Sequence, residues 1–131
     1  MQLYIDTSAL VKLVVVEPET AALRNFLAAN ESDVQMTAAL VRTELLRAAA
    51  LRSSIEAVDK ARNVIATLHL VPLTNRLLDN AAALGPRRLR TLDAIHLAAA
   101  LIAPDLRAVV TYDSRLADAA IAQRIPIVRP A

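Results

Sequence analysis

Short apolar runs alternate with helix-length segments along the whole chain, and this alternation constrains the fold more than any other feature. "LYID" at the start reads as a short strand, and the "SALVKLVV" that follows has apolar residues at helical spacing that stop before Glu17 and Pro18. Pro18 suits the first turn of a second helix that runs to about Asn30. Next come a strand, "VQMT", a helix over "AALVRTELLRAAALR" with Thr37 as its cap, and a helix over "IEAVDKARNVIATL" capped by Ser53 or Ser54. "LHLVPL" is a third strand, and Thr74 to Leu84 a helix closed by Gly85 and Pro86. "LDAIHLAAALIA", after a Thr91 cap, is a helix apolar nearly all round and hence central. "AVVTYD" is a fourth strand, "SRLADAAIAQR" a helix, and "IPIV" a short final strand placed at an edge by its proline. Strands separated by helices require right-handed crossovers, so the class is α/β, a three-layer α/β/α arrangement around a central parallel sheet of four to five strands.

A chain of 131 residues with one Gly, six Pro and no low-complexity tract reads as one domain over residues 1–131, large enough for a proper core. The absence of cysteine excludes disulfides, thiolate nucleophiles, zinc ribbons and iron–sulfur clusters. No basic, then apolar leader opens the chain, and Asp93, His96 and Pro104 break the later apolar runs before membrane-spanning length. The expectation is a cytoplasmic protein with no membrane partner. The hydrophobic fraction of 56% exceeds the usual ~45–50%, so some apolar surface is expected to be covered by a partner. A net charge of +2 does not announce nucleic-acid binding, although the cations are mostly Arg, which suits bidentate contact with phosphate.

The acidic residues carry the chemistry. In open parallel sheets ligands bind beyond the carboxyl ends of the strands, and Asp6 and Asp113 each follow an apolar strand at that end. Either alone is explained as a helix N-cap. Glu44 lies on or beside the apolar stripe of its helix, among Leu40, Val41, Leu45 and Ala48, where an unpaired charge is costly. Pairing with Arg47 or a rotated stripe are the ordinary explanations. Asp93 sits in the first turn of the most apolar helix, where the helix dipole favours it but burial demands a partner. His96, one turn later, reads as a satisfied core histidine or one standing behind a ligand, His69 as structural, and Asp118 as exposed helix surface.

Asp6, Glu44, Asp93 and Asp113 thus come from four elements that a parallel sheet can bring to one rim. Crowded carboxylates repel, an arrangement that makes sense chiefly around a hard divalent cation, Mg²⁺ or Mn²⁺. Ser8 and Thr111, each two residues from a strand-end Asp, either orient a carboxylate or bond the local backbone. An acidic site that holds a polyanion also needs cations nearby. Arg87, Arg88 and Arg90 in "GPRRLR" and Lys12 after Asp6 are candidates for phosphate contacts, against a solvated loop and a surface lysine.

"DTSALVKL", "RTELLRA", "TLDAIHLAAA" and "VVTYDSRLADAA" resemble, in this order and spacing, the PIN-domain nucleases, and the small size is similar to that of the VapC toxins of bacterial type II toxin–antitoxin systems. The resemblance extends over essentially the whole chain. It implies an Mg²⁺- or Mn²⁺-dependent endoribonuclease that leaves 5′-phosphate and 3′-hydroxyl ends. The implied acidic quartet is Asp6, Glu44, Asp93 and Asp113, with Ser8 and Thr111 as hydroxyl partners. Implied partners are an RNA substrate, a second copy of the chain, and a cognate VapB-like antitoxin whose tail covers the site.

Competing classes fit less well. A receiver-type signalling module would want an acidic pair after the first strand and a lysine after the last, where this chain has a lone Asp6 and "IPIVRPA". A haloacid-dehalogenase-type phosphatase would want an Asp at position 8, which is Ser8. A non-catalytic binding partner, with the acidic pocket receiving a basic peptide, is the third alternative.

Overall fold

A computed structural model describes residues 1–52 and 54–131. Its strands are β1 (Gln2–Ile5), β2 (Val34–Ala38), β3 (His69–Val71), β4 (Leu106–Val110) and β5 (Ile127–Val128). The helices are α1 (Thr7–Val14), α2 (Thr20–Ala29), α3 (Val41–Ala50), α4 (Ile55–Ala66), α5 (Asn75–Ala82), α6 (Thr91–Leu101) and α7 (Ser114–Ala122). The strands form one parallel sheet in the order β3-β2-β1-β4-β5.

The two-residue alternation of strand side chains sorts the core into two layers. Leu3 and Ile5 of β1, with Ala108 and Val110 of β4, pack under α1 to α4. Tyr4, Met36, Ala38 and Val109 face the other way, under α5, α6 and α7. α6 buries seven consecutive residues, Ala94 to Ala100, so its all-round apolarity marks the central helix of that layer, as its sequence implies. β5 lies at an edge, as expected, although Pro126 precedes its two residues and is not part of the strand.

Several boundaries differ from the sequence reading. Thr37 does not cap a helix: β2 extends through it, it is fully buried, and α3 begins only at Val41. Pro18 lies in the turn before α2, which starts at Thr20. Thr91 is the first residue of α6, whose N-cap is Arg90. Ser54 caps α4 by accepting from the Ala57 N–H, and Ser53, the alternative cap, lies outside the described residues. Among the described residues no helix is long and apolar enough to cross a membrane.

The chain runs outward from β1 through β2 to β3, then returns to the other side of β1 with β4. The reversal creates a crevice between the carboxyl ends of β1 and β4, where open α/β sheets bind ligands.

Candidate functional site

Asp6 directly follows β1, on the same side as Tyr4 two residues earlier. It caps α1 and also forms one wall of the crevice. Its Oδ2 accepts weakly from the Ser8 N–H at 3.4 Å, and more closely from the Ser8 and Thr111 hydroxyls at 2.8 and 2.9 Å. Those hydroxyls are in turn held by β4's exit. Ser8 Oγ accepts from the Tyr112 N–H and Thr111 Oγ1 from the Asp113 N–H. The network stitches the ends of β1 and β4 together and leaves Asp6 Oδ1 outside these bonds. Asp113 follows β4 not immediately but after Thr111 and Tyr112, and caps α7 through Oδ1, which accepts from the N–H groups of Arg115 and Leu116.

Glu44 reaches the same rim from α3. Its partner is not Arg47 but His96 of α6, in the opposite layer, whose Nε2 lies 2.7 Å from Glu44 Oε1. The Thr7 hydroxyl donates to the same oxygen at 2.7 Å. His96 is buried, with Nδ1 2.6 Å from the Tyr4 hydroxyl and Nε2 3.7 Å from Asp6 Oδ1. Burial alone would depress the imidazole's pKa, but the Glu44 hydrogen bond and the charges of Asp6, Glu44 and Asp93 outweigh it and raise it. Burial likewise pushes Glu44 up, and the bonds from His96 and Thr7 bring it net below the ordinary value. The Tyr4 phenol, fully buried, is pushed far up by desolvation.

Asp93, half-buried in the first turn of α6, accepts no hydrogen bond among the described residues. Its pKa is raised, first by burial and then by the charges of Asp113 and Asp6. Asp93 thus lies near enough to Asp113 and Asp6 to feel their charge. Among the described residues no three acidic or histidine side chains already form a ready-made cation cage. The donor set nonetheless suits a hard cation. All the candidate donors are carboxylate oxygens, and Asp6 Oδ1, Asp113 Oδ2 and Glu44 Oε2 are outside the bonds described.

The candidate phosphate-binding cations divide. Arg87, Arg88 and Arg90 are exposed on the approach to Asp93. Lys12 is not a surface lysine: it is buried, paired with Glu17 and Glu19 at 3.2 and 2.9 Å, and lies 4.6 Å from the centre of the Tyr112 ring. Asp118 is exposed and His69 opens β3 at the far end of the sheet. Tyr4 and Thr7 were not singled out by sequence reasoning. Tyr4 carries a signal in retrospect, two strand positions before Asp6, whereas Thr7 carries none. A cavity of about 570 Å³ between α5 and α6, lined by Leu78, Leu84, Pro86 and Ile95 among others, does not include the acids. Asp6 is itself buried, whereas Glu44, Asp93 and Asp113 are partly exposed.

A family model described as "PIN domain" matches residues 3–122. Ribonuclease VapC46 of Mycobacterium tuberculosis (strain ATCC 25618 / H37Rv) is 44% identical over 130 residues, covering 98% of this chain and 97% of the relative. Ribonuclease VapC47 of M. tuberculosis (strain CDC 1551 / Oshkosh) is 44% identical over 117 residues, covering 87% of this chain and 86% of the relative. Among solved structures, M. tuberculosis VapC20, described as a sarcin-ricin loop cleaving toxin, superposes with a TM-score of 0.77 at 19% identity, covering 98% of this chain and all of that one. VapBC2 from Rickettsia felis, bound to a DNA fragment from its promoter, gives 0.74 at 13% identity with both chains fully covered. These two likenesses concern the fold.

Proposed function

Because the chain belongs to the PIN-domain family, we propose that it is an RNA-cleaving enzyme of the VapC kind, the toxin of a toxin–antitoxin pair. We read residues 1–131 as one nuclease domain, acting where cellular RNA is, in the cytoplasm. What supports the reading is the repulsion Asp93 feels from Asp113 and Asp6, together with the bond from His96 on the same helix to Glu44.

Asp6, Asp93, Asp113 and Glu44 are the residues that would hold Mg²⁺ or Mn²⁺. When bound, the ion supplies a water of lowered pKa and neutralises charge at the phosphate. The protein's part is positioning. The Ser8 and Thr111 hydroxyls fix Asp6 Oδ2, the α7 cap fixes Asp113 Oδ1, and each carboxylate keeps its other oxygen for the crevice. Glu44, anchored through Oε1, would offer Oε2 to the ion. The N-termini of α1, α6 and α7 meet at this rim and add partial positive charge where phosphate must come among acids. A homodimer and the grip of a VapB-like antitoxin account for large apolar side chains left exposed, among them Val16, Leu51, Ile55 and Ile121.

The test is incubation of total cellular RNA with purified protein and Mn²⁺ or Mg²⁺. Discrete fragments that disappear with EDTA and return with added metal are the expected result. RNA left intact with both ions overturns the enzymatic reading in favour of a binding role. A second expectation concerns the arginines. Replacing Arg87, Arg88 and Arg90 together with Gln should weaken RNA binding and lower the slope of log affinity against log salt by about two to three. An unchanged slope in fluorescence anisotropy titrations would return them to solvated loop.

A further inference from the structure

His96 is almost wholly enclosed, yet both ring nitrogens are engaged and the group it holds stands at the crevice. Glu44 Oε1 is acceptor-only when ionised, so the 2.7 Å contact requires a hydrogen on Nε2 whichever charge the ring carries. Nδ1 is met at 2.6 Å by the Tyr4 hydroxyl, which itself accepts from the Ala38 N–H. The ring's orientation is therefore fixed from behind by the end of β2 and by β1. In front, His96 and Thr7 occupy one oxygen of a carboxylate that is 22% exposed, and Oε2 has none of these bonds. Glutamate has three rotatable bonds and, untethered and partly exposed, would sample many orientations.

We infer that His96, braced by Tyr4, is a positioning residue that tethers Glu44 across the end of the sheet so that a single carboxylate oxygen is offered to the divalent cation. The role resembles that of outer partners that orient a ligating carboxylate and govern how well it binds. It rests on the metal reading above. A simple ion pair between layers would stabilise the fold without bearing on cation affinity, which separates the two roles experimentally.

The experiment is calorimetric titration of the intact protein with Mn²⁺, beside melting curves. His96→Leu, which keeps bulk but no donor, should weaken Mn²⁺ binding by about 10- to 100-fold. His96→Gln, which keeps a donor amide, should recover most of that loss. Tyr4→Phe leaves Nδ1 without its partner and should weaken binding by a smaller factor, so it serves if His96→Leu does not fold. Because His96 acts through Glu44, His96→Leu should add nothing in a Glu44→Gln background. Wild-type affinity in folded His96→Leu or, should that variant not fold, in Tyr4→Phe overturns the role, and so does an equal loss with and without Glu44. A wild type that binds no Mn²⁺ overturns the metal reading and this role with it.

Discussion

Asp93→Asn should abolish RNA cleavage and, in metal-free protein at neutral pH, raise the melting temperature. Loss of one charged group from an electrostatically organised site costs about 10²–10³-fold or more in rate, which brings cleavage below detection on a gel. The stability gain follows from the environment of Asp93, whose carboxylate is half-buried, unpaired and repelled by Asp113 and Asp6. Its raised pKa means that the folded protein holds this proton more tightly than the unfolded chain does. Below the ordinary aspartate value both states are protonated, and Asp93 has no disadvantage against Asn. As pH rises through the window between the ordinary and the raised value, the unfolded chain releases the proton first and wild-type stability falls. The gap in favour of Asn should open through that window and stay constant above it. Added Mn²⁺ should reverse the order by stabilising the wild type more than the variant. Retained cleavage would remove Asp93 from the chemistry, and a variant that melts below the wild type at neutral pH would contradict the repulsion.

Four residues further along the same helix the expectation inverts. Leu97 is 1% exposed and belongs to the cluster with Tyr4, Met36 and Val109 on the sheet below α6. Leu97→Ala leaves a cavity that flanking alanines cannot fill, at a cost of about 2–5 kcal/mol. Against a total stability of roughly 5–15 kcal/mol that is a large share, and it should lower the melting temperature by about 10 °C or more. Cleavage assayed well below the transition should survive, since Leu97 belongs to the apolar cluster on the sheet. Denaturant titration giving a loss under about 1 kcal/mol would mean that α6 does not carry the core of its layer. If both results hold, the amino end of this helix serves the chemistry and Leu97 in its body serves cohesion.

Much of this was legible in the sequence where the determining signal is local. The strand and helix alternation yields the parallel sheet, and an acid just beyond an apolar run can be placed at a strand end from its neighbours alone. Asp6 and Asp113 needed nothing more, although each turned out to be a cap as well as a crevice residue. What escaped depends on which layer faces which. The partner of Glu44 is 52 positions away on a helix of the opposite layer, so the sequence offers only the nearby Arg47. Lys12 looks like a surface lysine because its helix is short. Glu17 and Glu19 fold back over it from the following turn, and the Tyr112 ring lies against it from β4's exit. Thr37 and Thr91 were misread as caps for a simpler reason. A threonine suits the interior of a strand and the first turn of a helix as well as the cap position, and its hydroxyl does not announce which.

The sheet order also sets when during synthesis the site can exist. β1 leaves the ribosome before the other strands described, but β4, against which it pairs from Gln2↔Leu106 onward, comes about a hundred residues later. Until then one edge of β1 is open, and Asp6 lacks both Thr111 and the neighbouring Asp113. A nascent chain stopped short of β4 would expose an unpaired apolar edge, prone to misassociation. The rim that Asp6 shares with Thr111 and Asp113 is completed only once β4 and the residues after it have been made.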